Sequence, residues 1–177
     1  MENNEFWKTP QSLDPRWEHR TSFIYELIPN KITKILDIGA GEGFLKHYLP
    51  PAIEYIPLDI IARDDSYLEF NLNNSEFPVL KDIGLITALG VFEYIEDTNW
   101  LISKIKETTP NLLITYCCSH NNISSSSMNM RINNRWINHY NESEFEDLLK
   151  KFGSIQAKKL YKSSLSSNQY VYLVKQY

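Results

Sequence analysis

Asp37 closes a short apolar run, Ile35-Leu36, and glycines follow at 39, 41 and 43. Glycine lets backbone approach a ligand closely, and a carboxylate beside such a turn is suited to gripping a nucleotide-like molecule. An acid at this point favours a ligand that carries an ammonium group over one that carries a pyrophosphate, because the two can share charge-assisted hydrogen bonds, directly or through water. A dinucleotide fingerprint, G-x-G-x-x-G, would need glycine at position 44, where the chain has Phe44.

A second acid, Asp59, ends the run Tyr55-Ile56-Pro57-Leu58. Sixteen residues beyond Gly43, it is placed to take both hydroxyls of a ribose, since its two oxygens match the two donors of the diol. Next comes Phe70-Asn71-Leu72, and then Ala88-Leu89-Gly90-Val91-Phe92-Glu93-Tyr94-Ile95 after Asp82-Ile83-Gly84-Leu85-Ile86.

These four marks, in this order over residues 34–95, resemble the class I S-adenosylmethionine (SAM) dependent methyltransferases. The order acid-x-Gly-x-Gly-x-Gly resembles their motif I, so Asp37, Gly39, Ala40, Gly41 and Gly43 are expected to cradle the methionine end of SAM. Asp59 matches the acid that holds the ribose, and Ile60 is then expected on the adenine face. Where the family often has an Asp to accept from the adenine amino group, this chain has Asn71, whose amide carbonyl can accept the same bond without charge; Leu72 would add a backbone amide. Glu93 matches the glutamate of the strand-four motif, and Tyr94 replaces its usual histidine. Leu89 and Gly90 are expected along the methionine arm, and Arg20 is a candidate partner for the methionine carboxylate. The resemblance implies methyl transfer from SAM to a hydroxyl or amine of a small molecule, a sugar or another metabolite. The alternative it leaves open is a SAM-binding regulatory or partner protein without transfer activity.

Transfer from a sulfonium is an in-line displacement, so the protein's main task is to align the acceptor, and a general base helps a hydroxyl or amine lose its proton. Imidazole serves near neutral pH. His139, before the last helix, and His120, after the fifth strand, are the candidates. Asn/Asp-Pro-Pro-Tyr, which holds a planar nitrogen, does not follow the fourth strand, and no basic patch interleaves with aromatics, so nucleic acid is not the expected partner.

Elements that could position these residues follow from periodicity. Helices are expected at Arg16–Ile28, Gly43–Leu49, Asp97–Glu107 and Ser143–Phe152, the last with a Ser143-x-x-Glu146 capping box. Strands are expected at Ile35–Ile38, Tyr55–Leu58, Tyr67–Leu72, Ile83–Leu89, Leu112–Tyr116, Ile155–Tyr161 and Tyr170–Val174. The last two are joined by a short polar loop and should pair antiparallel. The pattern is α/β: a doubly wound, Rossmann-like, mostly parallel seven-stranded sheet with a C-terminal hairpin. The gaps around strand three are too short for full helices, so the helical layers are trimmed. Residues 1–15 read as a flexible arm. The Ser- and Asn-rich stretch 120–138 reads as a lid loop.

At 177 residues and 42% apolar content, one domain is expected. A net charge of −4 gives no general attraction to nucleic acid or anionic membranes. No apolar run is long enough to span a bilayer, and residues 1–10 lack the apolar core of a signal peptide, so a cytoplasmic location is expected. Cys117 and Cys118 are adjacent, which disfavours a disulfide, and two cysteines alone make no zinc site. Oligomeric state is not legible.

Overall fold

The computed structural model describes Trp7 and residues 16–74 and 76–177; the expected arm at 1–15 otherwise lies outside the described residues. Seven strands form one sheet: β1 (Lys34–Ile38), β2 (Glu54–Asp59), β3 (Leu68–Glu69), β4 (Leu85–Leu89), β5 (Asn111–Ser119), β6 (Ser154–Ser163) and β7 (Ser167–Lys175). Their spatial order is β3-β2-β1-β4-β5-β7-β6. The first five run parallel, while β7 is antiparallel to both β5 and β6. This is the doubly wound α/β sheet with a C-terminal hairpin that alternation of the patterns implies.

The central strands are apolar on both faces because both faces are covered. Ile35, Leu36, Ile38, Leu85, Ile86, Leu112, Leu113 and Ile114 are all buried. One face packs against α2 (Thr98–Thr108) and α4 (Glu142–Phe152), with Leu101, Ile105, Phe145 and Phe152 in the core. The other packs against α1 (Arg16–Tyr25) and a 3₁₀ turn at Phe44–Tyr48, through Ile24 and Leu45.

Several expected boundaries shift. α1 ends at Tyr25, and Leu27 and Ile28 continue it only as turns. The expected helix after Gly43 is a 3₁₀ turn. Pro50 and Pro51 follow two and three residues beyond its end and leave no length for a longer helix. β3 is two residues long, and among the described residues no helix separates β2 from β3 or β3 from β4. The capping box of α4 is not Ser143/Glu146. Asn141 Oδ1 accepts the Glu144 amide at 3.0 Å, and Glu144 Oε2 accepts the Asn141 amide at 2.9 Å. Asparagine is as good a cap as serine, and Glu146 instead binds Lys158 at 2.6 Å. The expected lid loop contains a helix, α3 (Ser125–Asn133), whose Ser124 cap accepts from Ser127. Cys117 and Cys118 are free thiols, Cys118 buried.

Strand order reverses between β1 and β4, where the chain leaves β1 on one side for β2 and on the other reaches β4 and β5. The carboxyl ends of these strands open a crevice, where ligands sit in sheets of this kind.

Candidate functional site

A cleft of about 990 Å³ occupies that crevice. Ligand pockets span roughly 300–1,000 Å³, so there is room for two small molecules side by side. The sheet ends form its floor; α1, α3 and the β6–β7 turn form its sides.

Motif I lies on the floor. Gly39 has φ +66°, and a Cβ there would sit 2.4 Å from Val91 Cγ2, so only glycine fits. Asp37 lines the cleft and is 2% exposed. Both its oxygens hold strong bonds: Oδ1 accepts from Thr87 Oγ1 and Oδ2 from the Tyr55 hydroxyl, each at 2.6 Å. Burial pushes its carboxyl up to about 6, against those two bonds. A further donor would thus meet a fixed and oriented carboxylate. Asp59, at the end of β2, is 9% exposed. Its Oδ2 accepts the Gly41 amide at 2.8 Å and its Oδ1 the Ile61 amide at 3.2 Å. Each oxygen keeps a lone pair, and Asp59 ties the glycine loop to the second strand. Burial raises its carboxyl above the usual range.

Gly39, Ala40, Gly41, Ile60, Asn71, Leu72, Leu89 and Gly90 also line the cleft. Gly43 stands behind the wall, beginning the 3₁₀ turn. Asn71 Oδ1 already accepts the Asn73 amide at 3.0 Å. Asn73 in turn bridges to Tyr94 O and the Glu96 amide, which fixes this end of the floor. Arg20 reaches over from α1 and donates Nη2–H to Leu89 O at 2.8 Å. It crosses Gly90, where a Cβ would lie 2.9 Å from Nη1, and its Nε is buried without a partner. Burial lowers the guanidinium's pKa; Glu93 and Asp37 hold it up. A buried arginine with an unused donor at a cleft wall is poised to take an anionic group.

The two histidines expected as bases do not line this cleft. His139 Nδ1 accepts from Arg131 Nε at 3.2 Å, and burial and that guanidinium both lower its pKa. His120 Nε2 lies 3.0 Å from Ser164 O, in a separate shallow recess with Glu142 and Glu146. Among the described residues the imidazole on the cleft wall is His19, one residue before Arg20, with Nδ1 3.2 Å from the Tyr161 hydroxyl. The sequence placed His19 on the first helix but gave no sign of Tyr161 beside it, since β6 and α1 meet only in the folded chain.

The outer wall draws four residues from the expected lid stretch 120–138, while the part played by Trp7 and Tyr94 was not foreseen. It includes Trp7, Tyr94, Met130, Asn133, Asn134 and Trp136. Trp136 Nε1–H donates to the Tyr94 hydroxyl at 3.0 Å. Glu93 lies at the base, 1% exposed, with Oε1 accepting the Cys117 amide at 2.9 Å and Oε2 unpartnered. Among the described residues no group of acids, histidines and cysteines is arranged to hold a metal ion, and no helix is long and apolar enough to cross a membrane.

The profile of a family described as a methyltransferase domain matches residues 11–154. No curated protein matches the sequence significantly. Among solved structures, a chain in the complex between the Haloferax volcanii Trm112 methyltransferase activator and a putative methyltransferase has a TM-score of 0.72 at 11% identity, over 99% of this chain and 98% of that one. The Burkholderia thailandensis 1,6-didemethyltoxoflavin-N1-methyltransferase, solved with its substrate and S-adenosylhomocysteine, has a TM-score of 0.70 at 13% identity, over 92% of this chain and 79% of that one. The N-terminal domain of EvdMO1 with S-adenosylhomocysteine bound has a TM-score of 0.62 at 14% identity, covering 93% and 83%. Identities this low show a shared fold.

Proposed function

The chain belongs to the methyltransferase domain family, and from that premise we propose that it uses S-adenosylmethionine to methylate a hydroxyl or amine of a small molecule. One observation carries this most: two buried acids, Asp37 and Asp59, and a buried arginine with a free donor, Arg20, converge on one cleft around a left-handed glycine loop. An ammonium, a ribose diol and a carboxylate are three of that cofactor's polar groups, and each has a complementary partner here. The structural relatives solved with S-adenosylhomocysteine support the same ligand.

When bound, the cofactor supplies a methyl group already activated by its sulfonium. Asp59 would take the ribose diol with the lone pairs its amide bonds leave free. Asp37 would face the ammonium and Arg20 Nε the carboxylate, while Ile60, Asn71 and Leu72 line the adenine end. Gly90 and Leu89 keep the floor low, so an acceptor can reach the methyl in line. If the His19 Nδ1 proton is given to Tyr161 O, Nε2 presents a lone pair able to receive the acceptor's proton.

The test is calorimetry followed by transfer. S-adenosylhomocysteine should bind and NAD should not, and tritiated SAM should label a small-molecule extract in the presence of the protein. NAD binding with no heat from S-adenosylhomocysteine would overturn the assignment.

A further inference from the structure

Resting on the methyl-transfer reading, we propose that the acceptor end of the cleft takes an electron-rich aromatic ring bearing a hydroxyl, stacked on the Trp136 indole. Trp136 lines the cleft and is clamped from two sides. The Arg131 guanidinium stands 4.7 Å from its ring centroid, and its Nε1–H is bonded to Tyr94. Arg131 has 0% exposure. Its three contacts are to neutral acceptors: Cys117 O at 2.9 Å, Asn138 O at 3.3 Å and His139 Nδ1 at 3.2 Å. Among the described residues no carboxylate forms an ion pair with it. Its charge therefore acts on the indole, drawing density toward the buried side. A ring depleted in this way is a better stacking partner for an electron-rich ring than for a saturated one.

The neighbouring residues favour the same ligand. Trp7 sets its ring edge-on to Tyr94, with centroids 5.0 Å apart, and extends the aromatic wall. The Tyr94 oxygen accepts from Trp136, which leaves its own O–H as a donor on the cleft wall. Burial raises its pKa, so it stays protonated. Met130 brings a thioether, a favourable neighbour for ring edges. Asn133 and Asn134 bring neutral amides rather than charge. The acid at the base, Glu93, is almost fully buried, with only Oε1 engaged, on the Cys117 amide, and burial raises its pKa toward the neutral form. Among the described residues a cationic acceptor would meet on this wall only the Glu93 carboxyl, which burial pushes toward its neutral form. Phenols also ionise near pH 10, as the tyrosine side chain does, so loss of their proton asks little of a base. In the transfer the ring oxygen bonds to the methyl, the sulfur–methyl bond breaks with its electrons to sulfur, and the hydroxyl proton leaves to His19 Nε2 or water.

Catechol and glucose, titrated calorimetrically into protein saturated with S-adenosylhomocysteine, test this, with saturation-transfer NMR as a second readout. Catechol should bind with a Kd of about 1 mM or tighter, in keeping with so small a ligand, and glucose should not bind. Trp136→Leu keeps an apolar side chain but removes the aromatic face; it should weaken catechol by about tenfold, whereas Trp136→Phe should stay within about threefold of the parent. Both variants should bind S-adenosylhomocysteine unchanged, which shows that the floor is intact. The proposal is overturned if catechol does not bind, if it binds Trp136→Leu as well as the parent, or if glucose binds in its place. If S-adenosylhomocysteine itself does not bind, the methyl-transfer reading falls separately, and the same comparison in the free protein still decides the wall.

Discussion

Replacing Asp59 by alanine separates a ligand-binding acid from a loop-bracing one. Its carboxylate is 9% exposed and accepts the Gly41 amide at 2.8 Å and the Ile61 amide at 3.2 Å. One lone pair on each oxygen remains for a ribose diol. Losing that pair of charged acceptors should weaken cofactor binding by about 2–4 kcal/mol, roughly 30- to 1,000-fold. The unliganded protein should lose much less. Two amide bonds are worth about 1 kcal/mol each, and burial already holds the ionised acid at a disadvantage, so removing it returns part of that loss. The net stability change should stay under about 2 kcal/mol. Asp59→Asn keeps one carbonyl and should fall between. Calorimetry with S-adenosylhomocysteine and thermal melts without ligand measure the two quantities. Unchanged affinity, or an affinity loss matched by collapse of the free protein's melting point, would show that Asp59 only braces the glycine loop.

Asp37, pushed by burial to about 6, gains its proton earlier on acidification in the folded chain than in the unfolded one, so it adds stability as pH falls from about 6 toward 4 and loses it as pH rises through that window. Cofactor affinity should move oppositely, falling up to about tenfold per pH unit below 6, because the ammonium needs the ionised acid; Asp37→Asn should flatten the curve, and an equally steep profile in that variant would refute the contact. Gly39→Ala should abolish binding and destabilise the fold, since its Cβ would meet Val91 at 2.4 Å at a left-handed φ; near-parental melting and affinity would show that the loop yields. His139→Ala should cost about 1–2 kcal/mol of stability by freeing one Arg131 contact, with transfer per folded molecule nearly unchanged; a large fall in turnover at parental stability would instead make His139 the base. Hydrogen exchange across 125–133 should be slow even without ligand, because Arg131 pins α3 from a fully buried position; Arg131→Met should speed it.

The floor of the cleft was legible because local chain geometry determines it. Asp37 stands one residue before the end of β1, Asp59 ends β2, and the glycines form the turn that leads into the 3₁₀ turn, so residue type and spacing already state where each group stands. Even the missing helices around β3 could be counted from the gaps. What misled was local in another sense. Ser143/Glu146 and Asn141/Glu144 satisfy the same capping pattern, and the choice fell to Lys158, which claims Glu146 from a strand. The polar run 120–138 has the composition of a loop, yet one arginine within it is fully buried and turns it into a docked helix.

The acceptor wall shows why the other half was not legible. Trp7 and Tyr94 come from parts of the chain far from the stretch that holds Met130 and Trp136, and no spacing relation links the three. They meet because Arg131 binds the carbonyls of Cys117 and Asn138 and fills one side of Trp136, while Glu93 holds the Cys117 amide and its carbonyl receives the amides of Ile137 and Asn138. The peptide at Cys117 is thus bonded on its two sides by a buried acid and a buried base, one beside the cofactor floor and one beneath the outer wall. A buried arginine without an ion pair is costly. Three neutral hydrogen bonds and an indole face offset that cost only while α3 is docked, so the wall forms as a unit. On the proposed reading, substitutions at Met130, Asn133 or Trp136 should alter acceptor binding while leaving the affinity for S-adenosylhomocysteine unchanged.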